Sequence, residues 1–140
     1  MRYTELDTPA LLFDREQLGQ NLRDMQRYAD ENGVALRPHT KTHKSPAVAK
    51  MQLEAGACGI AVAKTGEAEV MAQSGIQDIF IANEIVGEIK LRRIAALAKQ
   101  NVNIAFGVDT PCQVTAAERE FAAENVTIPV LIEIEVGENR

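Results

Sequence analysis

An α/β fold with a parallel sheet is predicted by two observations. Short apolar runs alternate with helix-patterned runs along the whole chain, about 20 to 25 residues per unit. The stretches "AGACGIAVA" and "QSGIQDIFIA" repeat one order of events: helix end, glycine, buried strand. A third observation chooses the architecture. In "VNIAFGVD" (102–109), Val102, Ile104, Phe106 and Val108 share one face, and Asn103, Ala105, Gly107 and Asp109 the other. In "VLIEIEVG" (130–137), Val130, Ile132, Ile134 and Val136 oppose Leu131, Glu133 and Glu135. "VALRPHTK" (34–41) sets Arg37, His39 and Lys41 against Val34, Leu36 and Pro38. A doubly wound sheet is apolar on both faces. A barrel strand is apolar toward its helices and can be polar inward near its C-terminal end, where barrel active sites sit. The expectation is the N-terminal portion of a (β/α)8 barrel, incomplete in this chain, because five such strands are present and closure needs eight.

Each element follows from local signals. "TPALLFD" (8–14) is short and apolar. A helix follows from Asp14, which can cap it with Gln17 at the capping-box position; Leu18, Leu22, Met25 and Ala29 form its stripe, and Gly33 stops it. Residues 34–41 are a strand candidate. Ser45-Pro46 is a cap followed by proline at the first helical position, opening a helix that Gly56 ends. "GIAVA" (59–63) is a buried strand, and a helix from about Thr65 ends at Gly75. "DIFIAN" (78–83), a helix over Glu88 to Lys99, the strand 102–109, a helix from Pro111 to Glu124 and the strand 130–137 complete the chain. No linker or low-complexity tract divides it, so 1–140 is expected to be one barrel portion.

The 140 residues suffice for one ordinary domain core, and 46% hydrophobic with 25% charged residues is a soluble globular composition. A net charge of -5 argues against nucleic-acid or anionic-membrane partners, which need a basic face. No apolar run is long enough to span a bilayer, and "MRYTELDTPA" has no signal-peptide hydrophobic region. Cys58 and Cys112 form no CxxC pair, so a reducing cytoplasm is the expected setting.

"LRPHTKTHK" (36–44) concentrates two histidines and three lysines, with no acid, in an acidic chain. His39 and His43 have the spacing of a helical zinc pair, but Pro38 and the extended reading spoil that geometry and no carboxylate or cysteine stands nearby. Neither a Walker loop nor a GxGxxG after a strand is present. Lys41 is either a solvated lysine or an amine in a barrel mouth beside Lys44, His39 and Arg37. In the second case like charge and desolvation favour the neutral amine that attacks carbonyls. Glu133, Glu135 and Arg140 form a second group. They are either solvated charges at a strand end or two inward carboxylates with Arg140 as their bidentate cation.

"RPHTKTHK", preceded by "DTPALLFD" and followed by "GEAEVMAQSGIQDIFIANEIVG" and "VLIEIEVGENR", closely resembles the D-threonine aldolase and D-serine dehydratase family, pyridoxal-phosphate enzymes of the alanine racemase-like fold. The resemblance runs through essentially all of the chain in the same order. It implies that Lys41 carries pyridoxal 5'-phosphate as a Schiff base, that Arg140 of "VGENR" approaches the phenolic oxygen of the cofactor, and that His39 lies at the cofactor. Glu133 stands seven residues before Arg140, where related racemases have a carbamylated lysine, and is inferred to hold and orient Arg140. The implied reaction is cleavage of D-threonine to glycine and acetaldehyde. The alternatives are D-serine dehydration, a non-catalytic pyridoxal-phosphate-binding barrel, or an interaction fragment without cofactor. The family also uses a divalent metal, whose ligands are expected downstream of this chain, as are the rest of the barrel and a C-terminal β-domain. No metal ligand is therefore assigned here. Alone, 1–140 is expected to be inactive, and the complete enzyme to act on a small D-amino acid as a homodimer.

Overall fold

The computed structural model describes residues 2–137. Arg140 lies outside the described residues.

Helix α1 (Arg15–Glu31) begins at Asp14, whose carboxylate accepts the Gln17 N–H at 2.9 Å and so satisfies one of the orphan donors of the first turn. The Gln17 side chain does not return the bond; its amide donates to Asn21 Oδ1 at 2.8 Å, so half of the capping box forms. Of the expected stripe, Ala29 is buried and Leu18 and Leu22 are half-buried, while Met25 is exposed; Gln26 takes the buried place instead. Gly33 leaves the helix at φ +64°. Helix α2 (Pro46–Glu54) starts under Ser45, whose Oγ accepts the Val48 N–H at 3.4 Å, and Gly56 at φ +119° turns the chain out of it.

The alternation then proceeds as expected: β1 (Ile60–Val62), α3 (Thr65–Gln73), β2 (Asp78–Glu84), α4 (Glu88–Lys99), β3 (Asn103–Val108), α5 (Pro111–Ala123) and β4 (Val130–Ile132). The four strands are parallel and lie in the order β1-β2-β3-β4, with Ile60 opposite Ile79, Ile79 opposite Ile104 and Phe106 opposite Val130. Each strand joins the next on the same side, without the reversal of order that marks a doubly wound sheet. That is the topology of a barrel wall. Ile79, Ile81, Ile104, Phe106 and Val108 are buried in one core with Met71, Leu91, Ile94 and Phe121 of the helices. The Phe106 and Phe121 rings meet edge to face at 5.9 Å. Asn103, Ala105 and Asp109 emerge on the other, concave side, less buried than their neighbours.

Two expected strands and the leading apolar run differ from expectation. Residues 8–14 form no strand: Leu11, Leu12 and Phe13 are exposed, an apolar run with no ladder to join. Residues 34–41 follow β1 without becoming a regular strand. Cys58 N–H donates to Leu36 O at 2.9 Å, Ala61 N–H to Pro38 O and Thr40 N–H to Ala61 O, both at 2.8 Å, with one bridge between His39 and Ala61. Pro38 has no N–H, so it can only accept. The strand expected over 130–137 ends at Ile132, beyond which Glu133 N–H still reaches Val108 O at 2.8 Å. Among the described residues no helix covers Val130, Ile132, Ile134 and Val136, and all four are exposed.

Candidate active site

The segment after β1's neighbour is anchored at both ends. Thr40 is buried, and its N–H and Oγ both donate to Ala61 O, at 2.8 and 3.2 Å. Four residues later Lys44 N–H returns to Thr40 O at 2.8 Å, closing one turn in which Lys44 takes φ +49°. Lys41 stands in this turn, exposed. The two histidines that bracket it do the same job. His39 Nδ1 accepts the Lys41 N–H at 3.2 Å, and His43 Nδ1 accepts the Ser45 N–H at 3.0 Å. An accepting Nδ1 puts the proton of the neutral ring on Nε2. Burial holds both imidazoles below the ordinary histidine range. For His39 the Lys41 charge adds to this, while Glu67 and the Ala61 backbone pull the other way. For His43 the opposing partners are Gln52 and Ser45, although neither His43 Nε2 nor Gln52 Oε1 completes a well-formed hydrogen bond. Both rings therefore serve as neutral acceptors at Nδ1.

Lys41 and His39 open onto a cleft of about 510 Å³ at the C-terminal ends of the strands, with Phe80, Asn83, Asp109 and Glu133 among its walls. A larger hollow of about 740 Å³ follows only the polar surface of α1 between Arg15 and Arg23 and holds no comparable grouping. Two local features shape the smaller cleft. The β2–β3 register slips between Ile81 and Glu84, a bulge that re-aims the end of β2. Asn83 thereby donates its amide to Ala63 O at 3.0 Å, tying the ends of β1 and β2 together. Opposite it stands Gly107. A Cβ there would come within 3.2 Å of Asn83 O, tighter than ordinary contact, so glycine lets the bulge close over β3.

The positive cluster expected around Lys41 is divided. Arg37 is at the opposite, N-terminal end of the strands, paired with Asp78, which also accepts from Asn103 Nδ2 at 2.7 Å. A Cβ on Gly59 would collide with that pair. Lys44 reaches Glu67 Oε1 at 3.3 Å, and Glu67 Oε2 accepts the Ala63 N–H at 2.8 Å. Burial pushes the Glu67 carboxyl up, but the Ala63 bond and Lys44 outweigh it and hold the group below the ordinary carboxylate range. Lys41, His39 and Glu133 line the same cleft. Glu135 lies apart, accepting from Gly137 N–H at 2.6 Å, and the Glu133–Arg140 pairing falls outside the described residues. Glu67, Asn83 and Asp109 were not singled out from sequence. Their signal was position: an acid in the first turn of α3, and a polar residue at or just beyond the end of each of two apolar strands.

The donor set suits the aldehyde end of pyridoxal phosphate. A primary amine stands at the rim of a cleft beside a neutral imidazole and a carboxamide. Among the described residues no group of three His, Cys, Asp or Glu side chains is placed to hold a metal. No described helix is long and apolar enough to cross a membrane.

Comparison with known proteins identifies the family. The family model for the alanine racemase N-terminal domain matches residues 13–140. The chain is 42% identical over 135 residues to a D-threonine aldolase of Arthrobacter sp, covering 96% of the chain and 35% of that protein. It is 34% identical over 135 residues to a D-threo-3-hydroxyaspartate dehydratase of Delftia sp. strain HT23, again covering 96% of the chain and 35% of the relative. The crystal structure of D-threonine aldolase from Filomicrobium marinum superposes with a TM-score of 0.95 at 40% identity, over 99% of this chain and 37% of that one. The chain thus spans about a third of the length of the curated relatives it matches.

Proposed function

The chain belongs to the alanine racemase N-terminal domain family, and from that premise we propose that it supplies the lysine-bearing part of a pyridoxal-phosphate-dependent lyase for D-β-hydroxy amino acids, with D-threonine as substrate and glycine and acetaldehyde as products. The observation that carries this reading is the placement of Lys41: an exposed amine, fixed by an anchored turn, at the C-terminal mouth of a barrel wall. Identity of 42% to a D-threonine aldolase supports the choice of substrate.

When bound, pyridoxal phosphate supplies an electrophilic carbonyl and an electron sink. The chain's own residues do the rest of what can be assigned. Lys41 would hold the cofactor through Nζ. His39 holds the backbone of Lys41 through Nδ1. Asn83 and Glu133 line the cleft, and we assign Glu133 the orientation of Arg140. For the whole protein we propose, on the family alone, a divalent metal, a homodimer and a cytoplasmic setting. The second reading is a dehydratase, supported by the 34% identity to the Delftia enzyme.

The test is product analysis with the full-length gene product, pyridoxal phosphate and a divalent metal. D-threonine should give glycine and acetaldehyde in equal amounts. Pyruvate and ammonia from D-serine, with D-threonine left intact, would move the assignment to the dehydratase. Tight cofactor binding without consumption of either would refute both.

A further inference from the structure

The turn that carries Lys41 is held by more than its own backbone. Its first residue, Thr40, is fixed to β1 through Ala61 O. Its last, Lys44, adopts a left-handed conformation that a non-glycine residue takes only with support from its surroundings. That support is visible. Lys44 Nζ meets Glu67 Oε1 at 3.3 Å, and the other oxygen of the same carboxylate accepts the Ala63 N–H at 2.8 Å, at the end of β1. The Glu67 side chain is 11% exposed, whereas Lys44 is 61% exposed, so the carboxylate is the fixed partner and the lysine the tethered one. Asn83 binds the adjoining Ala63 O at 3.0 Å, so both polar groups of Ala63 are clamped by side chains from different units of the sheet. The result is a closed circuit: β1 to Thr40, Thr40 through Lys41 to Lys44, Lys44 to Glu67, and Glu67 back to the end of β1.

We propose that Glu67 is a positioning residue for the Lys41 amine, holding the far end of the lysine turn against β1 through Lys44. The proposal deepens the reading of Lys41 as the cofactor lysine and rests on it. Glu67 touches neither cofactor nor substrate in this scheme. It narrows the range of turn conformations and so raises the fraction in which Nζ faces the cleft.

The experiment follows covalent loading of the full-length gene product with pyridoxal phosphate, trapped by borohydride at successive times and mapped by peptide mass, alongside thermal unfolding. Glu67→Gln keeps an acceptor for the Ala63 N–H and removes the ion pair. Lys44→Met removes the pair from the other side while keeping the aliphatic stem, and Lys44→Arg keeps both. Because one partner is exposed, Glu67→Gln and Lys44→Met should each slow loading at Lys41 by about two- to fivefold. The double variant should be no slower than the slower single one, and Lys44→Arg should load at the wild-type rate. A merely structural role would lower the unfolding temperature without this rescue pattern. Loading at Lys41 with wild-type rates in both single variants would overturn the proposal and leave the Lys41 reading intact. Label on another lysine in the wild-type protein would instead overturn that reading itself.

Discussion

Removing the His39 imidazole should release the backbone of the cofactor lysine. Among the described residues the Lys41 N–H donates to His39 Nδ1, and at 3.2 Å the bond is at the long end of the normal range. A net contribution of about 0.5–1 kcal/mol is therefore appropriate, equivalent to about two- to fivefold in the opening of that amide. The assay is the solvent-exchange rate of the Lys41 amide, by NMR on the full-length gene product. His39→Ala should raise it by that factor. His39→Asn offers a side-chain oxygen two residues before the same N–H, as in an Asx turn, and should restore protection. The wild-type protein should also show an acid limb. Protonation fills Nδ1, so the acceptor is lost as pH falls through a value below the ordinary 6.5, and the limb should be missing in both variants. Equal Lys41 exchange in wild type and His39→Ala, with no acid limb, would refute the capping role.

Other consequences follow for the full-length gene product. Phe106→Ala deletes a fully buried ring and its edge-to-face partner contact with Phe121, and should cost about 3–5 kcal/mol in chemical denaturation. Asp78→Ala leaves Arg37 and Asn103 Nδ2 without their acceptor; with side chains 31% and 35% exposed the loss should be about 1–2 kcal/mol, leaving cofactor loading at Lys41 unchanged. His43 is held below its unfolded value of 6.5 by burial, so the unfolded chain binds the extra proton more readily. Stability should accordingly be flat with respect to this group well above 6.5, decline as pH falls below it, and level off once pH is below the folded value; in His43→Gln the melting temperature should lose that slope.

The helices were legible because their signals are local. Asp14, the Ser45-Pro46 pair, and Gly33, Gly56 and Gly75 at positive φ mark ends that any chain would honour whatever packs on it. The barrel faces were legible too, since period-two alternation in 102–109 directly separates Phe106 from Gly107 and Asp109. Strand status was less so, because a strand is a relation to a partner. Leu11, Leu12 and Phe13 have strand-forming side chains but no ladder, and Pro38 interrupts the donor row that would have made 34–41 regular. At the site, Lys41, His39 and Glu133 could be named from their row on the inner face. The charge environment could not, because it depends on partners far off in sequence. Arg37 finds Asp78, and Lys44 finds Glu67, across turns and strands that no spacing rule connects.

The most direct test of the account is to load the full-length gene product with pyridoxal phosphate, reduce it with borohydride, and locate the attached group by peptide mass. The account predicts one modified peptide, containing Lys41, and no incorporation in Lys41→Ala. Equal labelling of Lys41→Ala, or label on a lysine outside the 40–44 turn, would contradict it.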